Sequence, residues 1–145
     1  MKVLHLNTYN TGGAAKACLR LHDALLDNGV DSKVLVRNKT ENRTREVYEV
    51  WEALGYLEKG KKYIEQKRLD KKQQKIRNSL GQVDELFSFP ESIWDLTKHP
   101  LYKWADVVHL HWVAGFIDYK TFFTNSSKKI VWTLHDEEPF TGGFH

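Results

Sequence analysis

The chain has 145 residues, 41% of them hydrophobic and 28% charged, with a formal net charge of +3. That length holds one domain's core, and the composition excludes wholesale disorder. No apolar run approaches the ~18–20 residues that cross a bilayer, and a single cysteine, Cys18, excludes both an intramolecular disulfide and a Cys-built zinc cage.

A lone cysteine points to a reducing compartment, and the apolar stretch at the N-terminus is too short for a signal peptide. The charge is unevenly placed. Residues 58–78 hold nine Lys/Arg and three acids, about +6, which leaves about −3 for the rest of the chain.

Residues 2–6 read as a first strand, short and apolar. Thr8 to Gly13 reads as a loop. Ala14, Ala17, Cys18, Leu21, Ala24 and Leu25 then recur at helical spacing, and Asn28-Gly29 closes that helix, with Gly29 suited to the left-handed position past its end. Residues 32–36 read as a second strand. Strand, Gly loop, helix and strand within about 36 residues form a βαβ unit, which implies a parallel sheet. Residues 38–46 are expected to be a polar, mobile loop. Residues 51–79 read as a basic helical insertion with a thin apolar stripe of Leu54, Leu57, Ile64, Leu69 and Ile76. Gly81 and Pro90 break the middle of the chain. Residues 95–104 read as a short helix that Pro100 interrupts. A third strand is expected over 106–111, a helix over 118–123 and a fourth strand over 129–134.

In an open parallel α/β sheet, ligands bind beyond the carboxyl ends of the strands. The expected strands deliver Asn7 to Gly13, His111 to Gly115, and His135-Asp136 to that one rim. Gly12-Gly13 stands before a helix N-terminus, where bare backbone and the helix dipole suit an anion such as phosphate, although the pair matches neither G-x-G-x-x-G nor a Walker loop. His109 and His111 alternate in a strand and therefore face the same way. With His135 and Asp136 they form a possible metal-ligand set. The alternative is a core His109 with only His111 reaching the rim. His135 suits a hydrogen-bond or acid–base role near neutral pH; alternatively Asp136 caps the following turn. No Gly-x-Ser-x-Gly elbow or Cys-His pairing is present, which argues against a nucleophilic hydrolase. Cys18 falls on the apolar helix face and is expected in the core. The basic segment carries no nucleic-acid-binding motif.

Three segments carry a family resemblance. The opening 1–7 with Gly12-Gly13-Ala14-Ala15 and Leu21-His22-Asp23-Ala24-Leu25, the stretch 105–113, and the stretch 132–145 together resemble bacterial family-4 glycosyltransferases, best the group that makes capsule, colanic acid and O-antigen polysaccharides. The sequence departs from that pattern at Glu137-Glu138, where the family carries an apolar residue and Trp, and at Phe144, where it carries Cys. The resemblance implies a Rossmann-like parallel sheet with flanking helices, the N-terminal half of a GT-B fold. It implies retaining transfer of a sugar from a nucleotide-sugar donor to a glycan or lipid-linked acceptor, without a metal or other cofactor. Gly12 and Gly13 would lie near the donor diphosphate. His135 and Asp136 would be the catalytic pair, and His111, Trp112 and Asp136 would flank the acceptor.

The family's C-terminal donor-binding domain, with its Glu-x7-Glu element, has no counterpart in these residues. The expectation is therefore a single partial domain that transfers no sugar by itself, acting in the cytoplasm and docked through residues 58–78 on an anionic membrane face. Two rival readings are a non-enzymatic nucleotide- or partner-binding module and a metal-dependent hydrolase using His109, His111, His135 and Asp136.

Overall fold

The computed structural model describes residues 1–40, 45–79 and 87–145. Among the described residues, ten helices and strands run in the order β1 (Lys2–Tyr9), α1 (Gly13–Asp27), β2 (Asp31–Asn38), β3 (Val47–Glu49), α2 (Tyr56–Ser79), α3 (Pro100–Trp104), β4 (Val107–Leu110), α4 (Tyr119–Asn125), β5 (Lys129–Trp132) and α5 (Glu138–Thr141), with 3-10 turns at Val50–Ala53 and Leu96–Lys98. The five strands make one sheet in the order β3-β2-β1-β4-β5, every pairing parallel. The protein is thus a Rossmann-like α/β domain. Strand order reverses between β1 and β4, which makes their carboxyl ends the topological switch point where such sheets take ligands.

Side-chain alternation divides the sheet into two buried faces. Leu4, Leu6, Leu35, Val108 and Leu110 point to one face and build the main core with Trp94, Leu96, Tyr102, Phe116, Ile117 and Phe122. Residues 93–96 and the helices α3 and α4 cover that side. The other face takes α1, whose Cys18 packs with Val34, Val36 and Val47. Burial there pushes the Cys18 thiol up to about 12.

Several expectations need correction. The buried stripe of α1 is Ala15, Cys18 and His22, while Ala17, Leu21 and Ala24 face solvent. A further parallel strand, β3, pairs with β2 at residues 47–49, where no element was expected. Its three residues are too few for alternation to stand out. The helix expected from residue 51 begins at Tyr56. Its apolar stripe is not buried: Leu57 is 85% exposed, and no residue of α2 is buried. The helix rests on polar contacts instead. Lys62 Nζ donates to Ile93 O at 2.7 Å, and Lys72 Nζ meets both oxygens of Glu91 at 2.7–2.8 Å. The helix expected over 95–104 is split, and Pro100 opens α3 at a position where its missing N–H costs nothing. The chain reversal after α1 is as expected, with Gly29 at φ +74°. Part of the expected loop at 38–46, residues 41–44, and Gly81 lie outside the described residues. Among the described residues, no helix is long and apolar enough to cross a membrane.

The two apolar sets make opposite predictions under mutation. Phe122→Ala empties a fully buried site and is expected to cost about 3–5 kcal/mol. Leu57→Ala is expected to stay within about 0.5 kcal/mol. Urea unfolding of both variants measures the contrast.

Candidate functional site

The rim of the cleft is fixed by bonds that continue the β1–β4 pairing past its last ladder residues. His111 N donates to Leu6 O at 3.0 Å, and Thr8 N donates to Trp112 O at 2.8 Å. Asn7 Oδ1 accepts from Trp112 N at 2.9 Å, and Thr8 Oγ1 donates to the carbonyls of Trp112 and Ala114. Asn7 and Thr8 are buried, so their side chains act as staples between the two strand ends.

A cleft of about 270 Å³ opens above this frame, lined by Asn7, Tyr9, Thr11, Gly12, Gly13, Ala14, Trp112, His135 and Asp136. The structure therefore brings Gly12, Gly13, Trp112, His135 and Asp136 together, as strand direction led one to expect. A larger, shallow depression of about 690 Å³ runs along α2 between Arg68, Lys71, Lys72 and Lys75. It contains none of these residues and lies on a helix that buries nothing.

Each wall has a clear cause. Gly12 sits at φ +96°, ψ 179°, a region that only glycine occupies without strain. No side chain caps α1 and its first turn carries no acid, so the free N–H groups of that turn remain available to an anion. Tyr9 and Trp112 stack at 5.9 Å between centroids with 24° between planes. Asp136 Oδ2 accepts from Trp112 Nε1 at 2.7 Å and from His145 Nδ1 at 2.6 Å, and Oδ1 accepts from Glu138 N at 3.2 Å. Asp136 is thus both a turn cap and a cleft residue. Burial pushes its carboxyl up, but the hydrogen bonds from His145 and Trp112 outweigh that and hold it below the usual carboxylate range. Glu138 turns inward and accepts from Tyr119 Oη at 2.6 Å. Burial, with that bond, raises the Tyr119 hydroxyl.

Beneath the rim lies a column of imidazoles. His5 pairs in register with His109, and both point to the α1 face with His111. The rings of His109 and His111 are 4.3 Å apart, and those of His5 and His109 are 5.1 Å apart. His5 Nδ1 is hydrogen-bonded to His111 Nε2 at 3.2 Å, and His111 Nδ1 to His135 Nε2 at 3.1 Å. His109 Nε2 meets Thr133 Oγ1 at 2.8 Å. His111 is therefore buried under the cleft instead of reaching the rim, with both nitrogens engaged, and only His135 is exposed. The set His109, His111, His135 and Asp136 does not converge on one point. Among the described residues the compact group is His5, His109 and His111.

His5 was missed as a candidate because within its own strand it reads as one polar residue in an apolar run. Its significance appears only through its partner in β4. Burial, reinforced by the neighbouring imidazoles, depresses His5 and His111 to about 3 and lowers His109 as well. His145 was likewise read only as part of a motif. Its ring is hydrogen-bonded between Asp136 and Ser88.

Two predictions follow from this geometry. Gly12→Ala is expected to destabilise by about 1–3 kcal/mol from backbone strain alone, because an added Cβ meets nothing within 4 Å; urea unfolding beside Gly13→Ala measures it. The buried histidines make stability depend on pH. The unfolded chain protonates near the ordinary value of 6.5, whereas folded His5 and His111 resist protonation down to about 3. Their contribution is full above pH 6.5 and is lost as pH falls toward 3. Thermal melts in the presence of chelator, from pH 8 to pH 4, should show a falling midpoint that His5→Gln flattens.

Compared with protein-family models, with curated proteins and with solved structures, the chain has no match.

Proposed function

We propose that this domain is the acceptor-side half of a retaining glycosyltransferase that builds cell-surface polysaccharide. The observation that carries the reading is the single cleft at the β1–β4 switch point, which combines an uncapped helix N-terminus, an aromatic wall and the His135–Asp136 pair. Each part has a use in sugar transfer from a nucleotide-sugar. The Gly12-Gly13 turn and the first N–H groups of α1 receive the donor diphosphate, whose negative charge grows as it leaves. The exposed ring of His135, held through Nε2 by His111, presents its other nitrogen to the transferred sugar. Trp112 and Asp136, locked to each other, shape the acceptor side, with His111 supporting them from below.

The cleft holds one carboxylate, Asp136, already accepting three hydrogen bonds. That suits chemistry that does not depend on a pair of facing carboxylates. Stabilising the leaving diphosphate would then supply most of the rate, with basic groups of a second, donor-binding domain completing the charge. The lysines and arginines of α2, exposed along a helix with no buried residue, offer a docking face to anionic lipid.

The test is transfer from labelled nucleotide-sugars to lipid-linked acceptors, run on the 145-residue chain alone and together with a separately supplied donor-binding domain. Transfer is expected only when both are present. His135→Ala is expected to lower kcat by roughly 10²–10³-fold, as removal of a transition-state hydrogen bond does, with an unchanged melting profile. Full turnover in the His135→Ala enzyme would overturn the role given to that residue.

A further inference from the structure

The imidazole column contains more hydrogen-bonding capacity than the protein satisfies. His22, which packs edge-on to His5 at 6.0 Å, has both nitrogens engaged: Nε2 donates to Arg45 O at 2.9 Å, and Nδ1 bonds Ser32 Oγ at 2.7 Å. His5 is different. It is fully buried, one nitrogen faces His111, and its Nε2 is buried with no partner. An orphaned buried polar atom carries a cost that an apolar side chain in the same place would avoid, and the interior of a parallel sheet is ordinarily filled by Val, Ile and Leu.

One nitrogen each from His5, His109 and His111 falls within 4.8 Å of the other two. The closest pair, His5 Nδ1 and His111 Nε2, is 3.2 Å apart. Two nitrogens bound to one tetrahedral Zn²⁺ at 2.0–2.1 Å are separated by about 3.3 Å, so this contact matches a ligand edge as well as a hydrogen bond. The outer nitrogens of His109 and His111, though not that of His5, are held in the manner of metal-bound histidines, which pass their second N–H to a neighbouring acceptor. His111 Nδ1 meets His135 Nε2, and His109 Nε2 meets Thr133 Oγ1. These bonds leave Nε2 of His111 and Nδ1 of His109 to serve as donors.

We propose that His5, His109 and His111 form a binding site for one Zn²⁺-like divalent transition metal, which clamps β1 to β4 beneath the cleft. The donor set is all nitrogen and suits a borderline-soft ion over Mg²⁺ or Ca²⁺, which prefer oxygen. Three neutral imidazoles leave a tetrahedral ion one position for a solvent oxygen. Binding needs no proton release from the pair: whichever of His5 Nδ1 and His111 Nε2 carries the proton of their hydrogen bond moves it to that ring's other nitrogen, so that both lone pairs converge, with the His111 proton on Nδ1 toward His135. The site differs from the set His109, His111, His135 and Asp136 by its membership and its depth. It is also independent of the sugar-transfer reading, since metal binding is measured without any substrate.

The experiment uses the chelator-stripped 145-residue chain at pH 7.5, titrated with Zn²⁺ and, for its visible spectrum, Co²⁺. The expected result is one equivalent bound, a four-coordinate Co²⁺ absorption, and a melting temperature that rises with free Zn²⁺. Histidine ¹⁵N spectra should show metal contact at His5, His109 and His111. His5→Gln and His109→Gln should lose stoichiometric binding, while His145→Gln, at the rim, retains it. Should the ligand variants fail to fold, the ¹⁵N and Co²⁺ spectra of the unaltered chain decide the question alone. Absence of stoichiometric binding, contact shifts at His99, His135 or His145 in place of the triad, or loss of binding in His145→Gln would each overturn the site.

Discussion

The pairing of β1 with β4 does not stop at the last ladder residues. It continues through His111 N to Leu6 O and Thr8 N to Trp112 O, and then through the side chains of Asn7 and Thr8, which bond the backbone of Trp112 and Ala114. Everything at the rim depends on this extension. It aims Trp112 at Asp136 and sets the Gly12-Gly13 turn opposite both. It also keeps the His5, His109 and His111 rings on one face at stacking distance. Were β1 to slip by one residue, its His5 and Asn7 would move to the other face, away from His109 and His111.

The same pairing yields two layers of different character. The upper layer is the cleft, with free N–H groups, one carboxylate and one exposed imidazole. The lower layer is the buried column, whose rings stay neutral because burial disfavours the imidazolium. His111 Nδ1 to His135 Nε2 is the connection between them. The tautomer of His111 thereby bears on whether the other nitrogen of His135 carries a proton, a coupling by tautomer rather than by movement.

The basic helix α2 is a separate matter. It buries no side chain, and its ties to the domain are polar ones at Ile93 and Glu91. About +6 of charge therefore stands on one solvated rod, while the rest of the chain carries about −3. This segregation leaves the cleft free of lysine and arginine from that helix and makes α2 the part of the surface most sensitive to ionic strength.

The strands were legible as 2–6, 32–36, 106–111 and 129–134 because alternation and apolar runs are local signals, and the glycines at 12, 13 and 29 mark turns by backbone chemistry alone. Strand direction then determined that Gly12, Trp112, His135 and Asp136 share one edge. The apolar stripe assigned to α1 was rotated, because Ala and Leu satisfy a helical period on more than one face and only packing on β2 selects Ala15, Cys18 and His22. The stripe on α2 was misleading for a related reason: periodicity shows that a face could be buried, and only a partner surface buries it. His5 was beyond reach of local reading altogether. Its neighbours in space, His109 and His111, are more than a hundred positions away, and the register that joins them is a property of the sheet. Sequence alone thus determined the elements, their polarity and the rim. The tertiary structure decided which histidines meet, because contact between strands distant in the chain depends on register, which no short stretch of residues encodes.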